Sequence, residues 1–150
     1  MLALTQNVKK ADVKVRGKVI SAIGEGLLIF LGVAKGDSEK DALWLVQKLA
    51  NARIFMGEEE GKIDKSVKDL GYEVLIVSQF TLYADIKKGN RPSFTDAEVP
   101  DKAEKLYDYF VNEMNKELYG KIKSGEFGAY MEVSLVNDGP LTLIYESNGH

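Results

Sequence analysis

Residues 24–33 read Gly-Glu-Gly-Leu-Leu-Ile-Phe-Leu-Gly-Val, and the apolar run LLIFLGV within them decides the architecture. Its length suits a strand, glycines punctuate it, and the absence of polar alternation marks a central strand buried on both faces. A helix is expected next. Ser38 with Asp41 three residues on forms a capping box, and Leu43, Val46, Leu49, Ala50 and Ile54 fall at helical spacing with Trp44 beside them, predicting a helix over 38–51. Upstream, Leu2, Leu4 and Gln6, then Val13, Val15 and Val19, keep a period of two that breaks at Arg16-Gly17, the pattern of strands around a tight turn. Downstream, EVLIVSQFTL (73–82) favours β structure, but its second half turns polar. Residues 83–100 have little periodicity and gather Lys87, Lys88, Gly89, Asn90, Arg91 and Pro92, which reads as a surface loop. Loops of that length in compact domains are commonly functional or mobile. Asp101 with Glu104 repeats the capping pattern ahead of Ala103, Leu106, Phe110, Met114 and Leu118, a second helix of about four turns. Beyond Gly125, Ala129, Met131, Val133 and Leu135 alternate with Tyr130, Glu132, Ser134 and Val136. Asn137-Asp138-Gly139-Pro140 then interrupts that strand before LTLIY resumes it. The expectation is a single α+β domain over residues 1–150, an antiparallel or mixed β-sheet with two main helices.

Composition narrows the chemistry. The 150 residues are 45% hydrophobic and 29% charged, the mixture of one globular domain, and a chain of this size buries roughly 70% of its unfolded surface. There is no cysteine, and the single histidine is His150. Disulfides, thiolate nucleophiles and ordinary zinc sites are thereby excluded, and a histidine-based triad nearly so. No apolar run approaches the ~20 residues of a membrane span, and MLALTQNVKKADVKV alternates rather than forming a signal-peptide core, so a cytoplasmic location is expected. Twenty basic and 23 acidic residues leave a net charge of −3, which argues against nonspecific coating of nucleic acid while leaving a local basic patch open. The carboxylates are scattered without ligand spacing, and Glu58–Glu60 lacks the alternation of a calcium loop, so neither metal nor cofactor is expected.

Three places can carry chemistry. The first is Ser78-Gln79-Phe80-Thr81, which ends a strand of core residues; on a continuing strand Ser78 and Phe80 would face one way, Gln79 and Thr81 the other. Such an end can present N–H groups and hydroxyls to a ligand, or can simply satisfy the backbone of a loop. The second is Gly139-Pro140. Proline cannot donate to a ladder, so this is either a plain turn or a rigid projecting corner whose carbonyl oxygens grip an ammonium group. The third is Lys87, Lys88 and Arg91 with Phe94, either a solvated loop or a site for phosphate and a stacked base.

SQFTLYAD at 78–85, GNRPSF at 89–94, DKAEKLYDYFV at 101–111 and MEVSLVNDGPLT at 131–142, in this order and spacing, resemble the D-aminoacyl-tRNA deacylases. The likeness runs from MLALTQNV through LLIFLGV and ARIF to the closing strand. It implies a barrel-like core and a homodimeric esterase that removes a D-amino acid from the 3′ end of tRNA, with no DNA or membrane as partner. Ser78, Gln79, Phe80 and Thr81 match the motif lining the family's catalytic pocket. Gly139 and Pro140 match a Gly-cisPro motif that one subunit inserts into the other's pocket, its carbonyl oxygens holding the substrate's amino group while an L side chain collides. Met131 and Asn137 join them in substrate binding, and Lys87, Lys88, Arg91 and Phe94 fall to tRNA. Selection by rejecting one handedness lets many D-amino acids, and achiral glycine, be processed. Thr81 is the natural nucleophile by residue type, but the resemblance gives its side chain a lesser role and takes the base from the ribose 2′-hydroxyl. Asn7 stands where the resemblance places a basic residue bracing the Gly-Pro corner, and Leu141 replaces the more usual Val. The alternative from another class is a noncatalytic module that binds the tRNA 3′ end; a third, a Thr81 esterase of free metabolites, would act without RNA.

Overall fold

In chain order the elements are β1 (Leu2–Val15), β2 (Lys18–Ile23), β3 (Gly26–Gly32), α1 (Glu39–Asn51), β4 (Phe55–Met56), β5 (Ile63–Lys65), α2 (Val67–Leu70), β6 (Glu73–Ser78), a 3-10 turn (Phe80–Tyr83), α3 (Pro100–Glu117), β7 (Ile122–Ser124) and β8 (Met131–Glu146). The structure, a computed structural model, describes residues 1–59 and 61–147, so Glu60 of the acidic run, the tail at 148–150 and His150 lie outside the described residues. The apolar run forms β3, paired antiparallel with β1 and parallel with β6. Its faces serve different layers. Leu27, Ile29 and Leu31 pack with Leu45 and Leu49 of α1 and Phe110 and Met114 of α3. Leu28 packs on the other side with Val8, Val13, Leu75 and Val77 inside the curl of the sheet. Each of these leucines is at most 2% exposed, and burial of such a side chain contributes on the order of 2 kcal/mol.

β1 organises the rest. Its whole length pairs with β8, from Leu2 opposite Glu146 to Val15 opposite Met131, while its other edge is shared between β3 and β2. β7 extends the sheet beyond β6, and Ser21 Oγ donates to the Ser124 carbonyl at 2.5 Å, drawing β2 against β7 so that the mixed sheet nearly closes into a barrel. Helices α1 and α3 cover one side, and α2 is a single turn.

The local chemistry departs from the sequence pattern at several points. In the first half of β1 the buried face is Ala3, Thr5 and Asn7, with Leu2, Leu4 and Gln6 half-exposed; Asn7 and Val8 are buried in succession where the β8 register shifts, which restores Val13 and Val15 to the inside. Val19 is exposed. Helix α1 starts as expected, with the Asp41 carboxylate accepting from the Ser38 N–H and hydroxyl at 2.9 and 2.8 Å, but Ala42 and Leu45 take inward positions and Leu43 stays largely outside. Helix α3 begins one residue before Asp101, with Pro100 at its first position and Val99 as the cap.

Candidate active site

β6 loses its ladder at Ser78, the last residue paired with β3, and the Gln79 N–H donates to the Leu31 carbonyl at 2.8 Å as the chain turns away. Phe80–Tyr83 then form one 3-10 turn, so the strand-like alternation expected for Ser78 to Thr81 does not hold. The change is physical. The C-terminal end of a parallel strand pair is open for ligands, and the first N–H groups of a helical turn, here on Phe80 and Thr81, have no acceptor inside it. Gln79 Nε2 donates to Thr81 Oγ1 at 2.5 Å, which ties down the exposed Thr81 hydroxyl.

A cleft of about 680 Å³ opens at this point. Ser78, Gln79 and Phe80 form one wall, Phe94 of the long loop and Met131 of β8 join it, and Thr81 does not line it. Phe80 and Phe94 meet edge to face, 5.0 Å between centroids, yet Phe80 is 57% exposed and offers a ring surface to a flat ligand. Beneath, the Tyr107 hydroxyl donates to the Ile76 carbonyl at 2.9 Å, and its ring lies 5.6 Å from Phe127, another wall residue. Burial pushes the Tyr107 phenol well above its ordinary pKa, so it remains a neutral donor. The stretch Phe127–Tyr130 and the pair Lys35 and Glu98 also line the cleft, and the residue pattern did not single them out. The available signal was the glycine at 128, which adopts φ +72° and turns the chain into β8.

The remaining expected residues lie elsewhere. Lys87, Lys88 and Arg91 are exposed at the tip of a loop pinched shut by reciprocal Asp85–Ser93 backbone bonds of 2.8 and 2.9 Å, so its base abuts Phe94. Among the described residues no carboxylate lies within ion-pair distance of these three cations. Asn137, Gly139 and Pro140 sit at the far part of β8. There Asn137 pairs with Val8 and Thr142 with Gln6, so residues 138–141 bulge opposite the single residue Asn7. The Gly139–Pro140 peptide is cis, both residues are exposed, and the Asn137 side chain bridges the bulge by accepting from the Leu141 N–H (3.3 Å) and donating to Thr142 Oγ1 (3.0 Å). Asn7 is turned inward, donating to the Ile54 carbonyl at 2.6 Å. Ser78, Gln79, Phe80, Phe94 and Met131 are thus brought together, while Gly139 borders a separate cleft of about 190 Å³. Among the described residues no group of three or more His, Cys, Asp or Glu side chains is placed to hold a metal, and no helix is long and apolar enough to cross a membrane.

A family model described as D-Tyr-tRNA(Tyr) deacylase matches residues 4–146. Relatives named D-aminoacyl-tRNA deacylase include one from Thermosipho melanesiensis, 52% identical over 98% of this chain and 97% of its own, and one from Aquifex aeolicus, 52% identical over 98% of both. The chain belongs to the D-aminoacyl-tRNA deacylase family. Membership makes it an enzyme, a hydrolase. Its fold is also that of a solved structure titled c-Myc DNA Unwinding Element Binding Protein (43% identity, TM-score 0.93, 97% of this chain and 98% of that one). A probable eukaryotic D-amino acid tRNA deacylase shares the fold at 17% identity (TM-score 0.84, 97% and 98% covered).

Proposed function

We propose that this deacylase hydrolyses the ester of D-aminoacyl-tRNA, and of mischarged glycyl-tRNA, as a homodimer in which each Gly139–Pro140 corner enters the cleft of the other subunit. The observation that carries the dimer is the separation of corner and cleft along β8. Met131 pairs with Val15 and Asn137 with Val8, so at about 3.3 Å per residue roughly 20 Å of strand lies between them. A corner that cannot reach its own cleft can reach another's across a two-fold axis. β8 also supports docking: among the described residues it pairs only with β1, its outer edge is free, and Val136, Leu143 and Ile144 are exposed at 46%, 39% and 66%.

In the assembled site the Phe80 ring and Phe94 receive the terminal adenine, and Lys87, Lys88 and Arg91 meet the phosphates behind it. The corner's carbonyl oxygens hold the α-ammonium group, which leaves room on the D side only. A water adds to the ester carbonyl carbon, and the N–H groups of Phe80 and Thr81 receive the negative charge that develops on the carbonyl oxygen. As the bond to the ribose 3′ oxygen breaks, the water's proton reaches that oxygen through the 2′-hydroxyl. An aminoacyl ester is already activated, so positioning and charge stabilisation supply the catalysis.

The test measures hydrolysis of D- and L-tyrosyl-tRNA side by side with EDTA present, then mixes two impaired variants, Phe80→Ala and Gly139→Ala. Loss of the D ester alone is expected, and mixing restores activity, since one site of each heterodimer then combines an intact cleft with an intact corner. No recovery on mixing, with heterodimers demonstrated by mass, refutes insertion in trans. Binding of both charged tRNAs without turnover of either would overturn the proposed reaction.

A further inference from the structure

Residues 138–141 have no ladder partners on β1, so the side chains that reach the bulge bear directly on where the corner is held. On one flank that is Asn137. On the other, Lys9 Nζ lies 3.1 Å from the Asp138 carboxylate, immediately before Gly139, and 2.9 Å from Glu25. Glu25 is itself held by the Tyr72 hydroxyl at 3.0 Å. The chain of contacts Tyr72–Glu25–Lys9–Asp138 therefore runs from the segment leading into β6, through the turn before β3, across β1, to the corner. From these contacts we infer that Lys9 is a positioning residue for chiral selection, its ammonium group holding the Gly139–Pro140 corner at the height and angle the site requires.

Charge and geometry agree on this role. Asp138 and Glu25 both lie within hydrogen-bond reach of one nitrogen, so removing Lys9 leaves two carboxylates with no cation between them, and their repulsion acts on Asp138, the residue next to Gly139. The bonds to Glu25, then Asp138, hold the Lys9 pKa above the ordinary lysine value, so the ammonium persists throughout the neutral range. All three side chains are about half-exposed, at 53%, 49% and 47%, where a lone ion pair contributes little to stability. The effect is therefore local placement and not global folding. Asn7, two residues along β1, carries no charge and is turned inward, its amide nitrogen donating to the Ile54 carbonyl, so it does not take this place.

The inference rests on the corner acting as the filter, and the experiment separates the two. Steady-state hydrolysis of D- and L-tyrosyl-tRNA is measured for the wild type and for Lys9→Met, Lys9→Arg and Gly139→Ala, at low and high potassium chloride, with melting temperature and dimer mass as controls. A displacement of under an ångström at a reacting centre predicts about a tenfold loss of kcat/KM on the D ester in Lys9→Met, carried by kcat. The D-to-L ratio narrows with it, the melting temperature and mass hold, and Lys9→Arg recovers both kcat and the ratio. High salt lowers the wild-type ratio but not that of Lys9→Met. If Lys9→Met instead raises KM for both esters equally at constant ratio, Lys9 contacts tRNA and the inference falls. If Gly139→Ala destroys selectivity while Lys9→Met leaves it intact, the inference alone falls; if Gly139→Ala too leaves selectivity intact, the filter reading falls and the inference with it.

Discussion

Replacing Gly139 by alanine separates damage to the site from damage to the fold. Gly139 adopts φ +119°, a region that L residues avoid, and an added Cβ would lie 2.9 Å from the Leu141 nitrogen, the donor that holds the bulge to Asn137. A residue forced into such a conformation stores on the order of 1–3 kcal/mol. The bulge is exposed and outside the β1–β8 ladder, so it can relieve most of that strain by moving, and global stability falls by less than the full amount. For a domain of this length about 1 kcal/mol corresponds to roughly 2–4 °C, so a melting shift under about 8 °C is expected. In the proposed two-subunit site the corner has no such latitude. An ångström of displacement costs on the order of 10²-fold when the displaced atoms hold the reacting group, so D-tyrosyl-tRNA turnover should drop by about that factor at a temperature where the variant is fully folded. Calorimetry and single-turnover deacylation on one preparation give both numbers. A variant that melts far lower yet hydrolyses D esters at the wild-type rate per folded molecule would refute the reasoning, since the corner would then matter for folding and not for selection.

Three further outcomes follow from the scaffold. A Cβ on Gly26 would lie 2.0 Å from the Glu73 carbonyl oxygen at the first rung between β3 and β6, and neither buried strand can retreat, so Gly26→Ala should destabilise by upwards of about 2 kcal/mol in urea unfolding. Tyr107→Phe should cost only about 0.5–1.5 kcal/mol at neutral pH, because the Ile76 carbonyl keeps the Gly125 N–H at 2.9 Å. The phenol's folded pKa is raised above its unfolded value near 10, so the stability linked to the neutral form is complete below pH 10 and is lost as pH rises further; the variant should show a shallower alkaline decline in denaturation midpoint. Thr81→Ala should lower D-ester turnover by less than about tenfold, since the hydroxyl it removes is bound to Gln79 and lines no part of the cleft; loss of turnover with binding unchanged would reinstate a Thr81 nucleophile or base.

The elements that depend on local pattern were legible, and those that depend on how strands meet were not. LLIFLGV declared a two-faced strand because no arrangement other than burial on both sides accommodates it, and the Arg16-Gly17 break declared a hairpin, which the two positive φ angles there require. The phase of early β1 was misleading because Thr5 and Asn7 are polar yet buried. Thr5 Oγ1 donates to the Leu143 carbonyl and Asn7 Nδ2 to the Ile54 carbonyl, contacts to distant backbone that a pattern of hydropathy cannot announce. The site divides the same way. Ser78, Gln79 and Phe80 could be located from the polar end of an apolar strand, but the 3-10 turn that ends their alternation follows from β3 stopping beside them. The Gly139–Pro140 interruption was visible as a broken strand, whereas its distance from the cleft depends on the antiparallel register of β8 along the whole of β1. That register carries the proposal of a site built by two subunits: it puts Met131, which lines the cleft with Ser78 and Phe80, and the Gly139–Pro140 corner at different places along β8.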